Sequence, residues 1–234
     1  MKFIMEFLPN GLTLEIPDGA FPLSTDSIAL SAFVRLPKNA RVLDLGSGCG
    51  TLGLLLCSRD SGCRVTGIEI DEAAHAAALE NIRRNALEPR MESICADVRS
   101  VSERFSPGSF SVCISNPPYF SGGPASKLTP LARREDTCSA QNLFHAAGYA
   151  LKYGGDFFLV HRPERLAELI VQGAQVGLEA KRLCLLRHQE GSGVTLVLLQ
   201  LRKGAKPGLV WEEQSLFNGQ NRPTPYYRSI YHLP

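Results

Sequence analysis

The sequence lacks the features that would place it in several large functional classes. It holds no Cys-x-x-Cys pair: its seven cysteines, Cys49, Cys57, Cys63, Cys95, Cys113, Cys138 and Cys184, are odd in number and scattered through apolar segments. That usage fits reduced thiols in the cytosol, not a disulfide framework. The five histidines, His75, His145, His161, His188 and His232, are equally dispersed. Without clustered Cys and His, no metal site is expected. No apolar run approaches the ~20 residues of a membrane-spanning helix. The opening Met1-Lys2-Phe3-Ile4-Met5-Glu6 reaches an acid before a signal-peptide core can form. A cytoplasmic protein without a membrane partner is expected. Internal repeats and low-complexity tracts are also missing.

Net charge is scarce as well, at +2 over 234 residues, but it is unevenly spread. Residues 1–100 carry 10 basic and 13 acidic side chains, 101–180 carry 7 and 7, and 181–234 carry 8 and 3. The basic C-terminal part can follow a phosphate backbone or simply form a solvated surface, and both readings stand. Length and an ordinary hydrophobic fraction of 44% suit one large domain, expected over 1–234.

Hydrophobic patterning gives the architecture. Phe3 to Leu8, Pro9-Asn10-Gly11 and the alternating Leu12 to Ile16 read as a hairpin with Asn-Gly at its turn, within a 1–20 segment. Ser24-Thr25-Asp26 then precedes a helical pattern. From Arg41 onward, strands alternate with glycine turns and helices: strands over 41–45, 64–70, 91–95, 110–115 and 156–161, helices over 51–58, 72–85, 141–151 and 163–176. Two more strands, 180–187 and 195–201, join across Gly191-Ser192-Gly193. This predicts an α/β fold with a doubly wound, mostly parallel seven-stranded sheet carrying one antiparallel strand, Rossmann-like, with a core over 21–203. Residues 120–139 show no periodicity and read as a long loop. The stretch from 204 to 234, rich in Pro, Asn, Tyr and Arg, reads as an extended tail.

Two strand ends carry chemistry. At the first, Asp44-Leu45-Gly46-Ser47-Gly48-Cys49-Gly50 lets the backbone approach a ligand, and the next helix offers its free N–H groups. Gly48-x-Gly50-x-x-Gly53 with Glu69 also satisfies a dinucleotide fingerprint, so the glycines alone leave two cofactors open. Asp44 would repel a pyrophosphate, whereas it suits an ammonium and a sulfonium. At the fourth strand, Asn116-Pro117-Pro118-Tyr119 follows an apolar run. Two prolines cannot continue a ladder, so an amide and an aromatic ring are left at the C-terminal edge of the sheet, where ligands of open α/β sheets bind.

With acids ending three strands (Asp44, Glu69, Asp97), the glycine turn resembles that of class I methyltransferases that use S-adenosylmethionine. The resemblance implies that Asp44, Gly46, Ser47, Gly48 and Gly50 lie under the methionine part of the cofactor. It also implies that Glu69 holds the ribose and Asp97 the adenine amine. Asn116 to Tyr119 resembles the motif of amino methyltransferases. Asn116 and the Pro117 carbonyl would accept the amine hydrogens at the methyl donor, while Pro118 and Tyr119 would meet the flat substrate, Tyr119 by stacking.

A wider match covers Phe21 to about Arg202. Phe21-Pro22-Leu23-Ser24-Thr25-Asp26-Ser27, Ala132-Arg133-Arg134-Glu135 and Leu159-Val160-His161-Arg162-Pro163-Glu164-Arg165-Leu166 resemble the bacterial family that methylates adenosine in valine tRNA beside the anticodon. This implies a tRNA partner, a monomer, and Arg133 and Arg134 as RNA contacts, with a solvated charge pair as the plain alternative. Ser24 to Asp26 becomes either a segment closing over the cofactor or an N-cap. The rivals are a release-factor glutamine methyltransferase, an rRNA guanine methyltransferase, a DNA adenine methyltransferase, an inactive RNA-binding protein and an NAD-dependent oxidoreductase. The first usually carries an extra helical domain, the second is longer, and the third needs a target-recognition domain. The last two would leave Asn116 to Tyr119 without a purpose.

Overall fold

Strands whose residues are apolar on both parities must be covered on both faces, and the central strands here obey that rule. In β3 (Arg41–Leu45), Val42 packs into one apolar layer and Leu43 and Leu45 into the other. In β7 (Leu151–His161), Phe158 and Val160 face the first layer and Phe157 and Leu159 the second. The computed structural model describes residues 3–8, 11–17, 23–117 and 139–233. Pro118, Tyr119, Arg133, Arg134 and most of the segment predicted as a loop lie outside the described residues.

The remaining core elements are β4 (Arg64–Glu69), β5 (Met91–Cys95), β6 (Phe110–Ser115), β8 (Leu178–Gln189), β9 (Val194–Lys203) and β10 (Val210–Phe217). They form one sheet in the order β10-β8-β9-β7-β6-β3-β4-β5. Only β9 runs antiparallel to its neighbours, β7 and β8. One face carries α1 (Thr25–Phe33), α2 (Thr51–Arg59) and α3 (Glu72–Arg84); the other carries α4 (Val101–Arg104), α5 (Ala140–Ala150) and α6 (Leu166–Gln175). The doubly wound arrangement and its single antiparallel strand follow the expectation. The strand count does not: the sheet has eight strands, one more than predicted.

The additional strand comes from the stretch read as an extended tail. β10 pairs in parallel with β8 and is tied to it by Arg182–Glu212 (3.5 Å) and Arg187–Glu213 (3.3 Å). The chain then forms α7 (Pro225–Ile230), capped by Thr224, whose hydroxyl accepts from the Tyr227 N–H. Phe217, Tyr227 and Tyr231 stack in sequence at 5.1 and 4.4 Å. Aromatic packing against the sheet, which no local propensity reveals, orders these residues.

The hairpin β1 (Phe3–Phe7) and β2 (Thr13–Pro17) stands apart from the main sheet and docks on α3. Asn85 exchanges two hydrogen bonds with the backbone of Thr13, Arg84 pairs with Glu15, and Asn81, fully buried, makes the innermost tie: its Oδ1 accepts from the Glu15 N–H at 2.7 Å. Its Nδ2 donates to the Glu15 carbonyl at 2.9 Å and to the Cys49 carbonyl at 3.0 Å. One amide therefore fastens the hairpin and the glycine turn to the same helix. Removing it strands buried backbone groups. Asn81→Leu is expected to lower stability by about 2–3 kcal/mol and the thermal midpoint by roughly 5–10 °C. Thermal and urea unfolding test this, and an unchanged midpoint would refute the docking role.

Candidate active site

The strand register assembles the site. Asp44 on β3 stands level with Gly67 on β4 and Ile114 on β6. Glu69 and Asn116, each two residues further on, therefore flank Gly46 at the C-terminal edge. Adjacent strands lie about 4.8 Å apart, so roughly 10 Å separates the Glu69 strand from the Asn116 strand. A methionine joined to a nucleoside spans such a distance.

The loop after β3 turns by three glycines with positive φ: Gly46 at 74°, Gly48 at 54° and Gly50 at 85°. Side-chain-bearing residues are strained there. Across the turn, a Cβ on Gly67 would meet Ser47 Oγ at 2.6 Å, so the missing side chain of β4 makes room for Ser47. Glu69 then fastens the turn: its Oε2 accepts from Gly48 N–H at 2.9 Å and its Oε1 from Asp71 N–H at 2.8 Å. Each oxygen retains lone-pair capacity for a hydroxyl. The amide of Gly48, which a pyrophosphate would need, is already taken by a carboxylate. The geometry thus speaks against the dinucleotide reading.

Asp44 is 1% exposed, and neither carboxylate oxygen nor Ser47 Oγ finds a hydrogen-bond partner among the described residues. Burial, with the Glu69 charge adding to it, pushes the Asp44 carboxyl up to about 8. A buried, unpaired carboxylate beside a glycine turn is a site prepared for a cation. The cationic methionine end of S-adenosylmethionine fits this donor set, with the glycine turn beneath it and Glu69 within one strand for a ribose. Asp97 presents a different picture. Its Oδ1 accepts from Arg99 N–H at 2.8 Å and its Oδ2 from Arg99 Nη2 at 2.6 Å, and it caps a short turn. The Arg99 pairing holds its carboxyl below the usual range.

At the end of β6 the Ser115 hydroxyl, fully buried, donates to the Leu45 carbonyl at 2.7 Å. That bond locks the residue before Asn116 to the residue before Gly46. Asn116 Nδ2 donates to Ser27 Oγ at 2.9 Å, which points the amide oxygen the other way. Pro117 is buried. The structure thus brings Asp44, Gly46, Ser47, Gly48, Gly50, Glu69, Asn116 and Pro117 to one edge. Sequence reasoning missed Ser115, Ser27 and Asn81, whose partners lie 32 to 89 residues away; a polar residue inside an apolar run was the one local signal, at Ser115.

Several other features do not join the site. His161 is fully buried, its Nδ1 accepts from Arg162 N–H at 2.8 Å, and burial lowers its pKa. A cleft of about 530 Å³ lined by Phe33, Arg35, Arg59 and Arg182 lies at the far end of α1, away from the glycine turn. At least five of the eight basic residues of 181–234 are engaged: Lys181 with a carbonyl, Arg182 and Arg187 with glutamates, Arg202 with Asp156, and Lys203 with two carbonyls. The basic C-terminal part is in large measure structural. Among the described residues no group of three or more His, Cys, Asp and Glu can hold a metal, and no helix is long and apolar enough to cross a membrane.

The Asp44 pKa has a measurable consequence. Its folded value of about 8 lies above the ordinary 3.8, so between these values the folded chain holds a proton that the unfolded chain has lost. In the ligand-free protein this group therefore costs stability increasingly as pH rises from about 4 to 8. A bound cation reverses the preference and expels the proton. Calorimetry near pH 7 in buffers of different ionisation enthalpy is expected to show up to about one proton released per cofactor bound. Asp44→Asn should abolish that release and weaken binding, yet stabilise the ligand-free protein at pH 8. A variant that binds normally would overturn the assignment.

The comparisons agree with this geometry. The profile of the family described as "Methyltransferase small domain" matches residues 25–174. A tRNA1(Val) (adenine(37)-N6)-methyltransferase of Tolumonas auensis is 31% identical over 215 residues, covering 90% of this chain and 88% of that protein. One from Photobacterium profundum is 29% identical over 184 residues, 76% of each chain. Among solved structures, a predicted O-methyltransferase of Agrobacterium tumefaciens matches with a TM-score of 0.74 at 22% identity, over 89% of this chain and 96% of that one. A 16S rRNA N2 methyltransferase of T. thermophilus, in complex with AdoMet and guanosine, gives 0.62 at 22% identity, over 86% and 50%. The last two share the fold. With its glycine turn, its unpaired Asp44 and its sequence match, the chain belongs to the methyltransferase small domain family, among the tRNA1(Val) (adenine(37)-N6)-methyltransferases.

Proposed function

We propose that the chain methylates the exocyclic N6 amine of an adenosine in tRNA, beside the anticodon of a valine tRNA, using S-adenosylmethionine. The observation that carries the acceptor chemistry is the orientation of Asn116, held by Ser27 with its amide oxygen facing away. S-adenosylmethionine supplies an electrophilic methyl group on a sulfonium. Asp44, ionised in its presence, would hold the cationic end, Ser47 and the turn glycines would line it, and Glu69 would take the ribose hydroxyls. Asp97 stands one strand further out for the adenine amine, through the lone pairs its Arg99 pairing leaves.

An aromatic amine is a weak nucleophile because its lone pair is delocalised into the ring. Asn116 Oδ1 and the Pro117 carbonyl accept its two hydrogens and favour positive charge on that nitrogen as the methyl arrives. The methylated amine can then lose its proton to water, so no strong base is required. The neighbouring groups match that economy. Burial lowers the His161 pKa, burial and the Glu69 charge push the Cys49 thiol up to about 11, and burial also raises Cys113. Neither thiol serves as a nucleophile.

Pro118 and Tyr119 would hold the flipped-out base, Tyr119 by stacking, and Arg133 and Arg134 would contact RNA phosphates. A cytoplasmic monomer fits this role. Purified protein, incubated with labelled cofactor and separately with total tRNA, rRNA, DNA and release factor, is expected to label tRNA. Label confined to release factor or rRNA would overturn the substrate. Asn116→Ala should lower turnover by at least about 10²-fold while leaving cofactor affinity nearly intact, as loss of a transition-state contact does. A fully active variant would refute the role of Asn116.

A further inference from the structure

The side chain of asparagine turns freely about its last bond, whose torsion is broad, so an amide that must present its oxygen in one direction needs an external hold. Asn116 has such a hold in the Ser27 hydroxyl, 2.9 Å away and 8% exposed, on the first turn of α1. Ser27 itself sits on a fixed post. Its N–H donates to Ser24 Oγ, the N-cap of α1. One residue from the cap, Thr25 Oγ1 is hydrogen-bonded to Tyr231 Oη at 2.9 Å, which ties the turn to the end of the C-terminal chain. At the other end of α1, Arg182 donates to the Phe33 carbonyl at 3.4 Å and Arg59 to the Val34 carbonyl at 3.2 Å. The helix is therefore anchored at both termini.

We infer that Ser27 is a positioning residue: it fixes the plane of the Asn116 amide so that Oδ1 is aligned for the substrate amine before substrate arrives. The inference rests on the acceptor role proposed for Asn116 and extends it to a residue 89 positions earlier in the chain. When the amine donates to Oδ1, Nδ2 stays on Ser27 Oγ, so the substrate does not have to order the side chain. Removing the hold leaves Asn116 in place but free to rotate, which costs alignment in the transition state and little ground-state binding.

Kinetics of the full chain with tRNA and S-adenosylmethionine test this. Ser27→Ala is expected to lower kcat by about ten- to a hundredfold with KM for tRNA and the cofactor Kd within about twofold. Ser27→Thr, which keeps the hydroxyl, should recover most of the rate. In an Asn116→Ala background, Ser27→Ala should add no further loss. An Asn116→Ala protein that is inactive beside a Ser27→Ala protein with normal kcat would overturn the positioning role and leave the acceptor role intact. A normal Asn116→Ala protein would overturn the acceptor role itself. Loss that appears in cofactor affinity instead of kcat, or that Ser27→Thr does not relieve, would also refute Ser27 as a positioning residue.

Discussion

The constraint on which the site depends is a carboxylate buried without a partner. Asp44 is 1% exposed at the end of a central strand, with no hydrogen bond to either oxygen from the described residues. Folding by itself gains nothing from this, because an apolar residue there would pack without the desolvation cost. The arrangement makes sense once a cation completes it. A cation bound there would return the free energy withheld from folding, and the surrounding glycines leave the space that a side chain would otherwise occupy.

A charge of that kind is useful only if its surroundings cannot collapse onto it. Four polar side chains prevent that collapse, each by bridging separate parts of the chain. Glu69 holds the turn amide, Asn81 holds the turn carbonyl of Cys49, Ser115 joins the ends of β6 and β3, and Ser27 holds Asn116. All are buried polar groups with satisfied partners, which are costly to break and therefore rigid. Methyl transfer needs little from the protein beyond such rigidity, since the reactive methyl comes with the cofactor and the proton leaves afterwards.

Much of this was legible in the sequence, for reasons that separate short range from long range. The bounds of β3 and β6 followed from apolar runs closed by Gly46 and by Pro117, residue types that act locally. That Asp44, Glu69, Asp97 and Asn116 stand at or just past strand ends was readable because strand ends in a parallel sheet share one edge. β10 and α7 were not readable, because their order comes from Tyr227 packing onto Phe217, Tyr231 onto Tyr227, and β10 pairing with β8, contacts that composition does not carry. Asp97 shows the limit in the other direction. The pattern placed it after β5, but nothing local in the pattern shows that Arg99 shares the carboxylate that the resemblance gave to adenine.

Charge illustrates a further separation between composition and function. The excess of basic residues in 181–234 invites an RNA-binding reading, but Arg182, Arg187 and Arg202 face Glu212, Glu213 and Asp156. Lys203 donates to the carbonyls of Gly148 and Leu151, where it closes the end of α5. These cations tie β10 to β8, β9 to β7 and the end of α5 to β9, so their hydrogen bonds are committed within the fold. A surface that recognises RNA needs cations whose hydrogen bonds are still free to meet phosphate. Counting residues in the sequence measures charge; which charges are uncommitted is decided only by the fold.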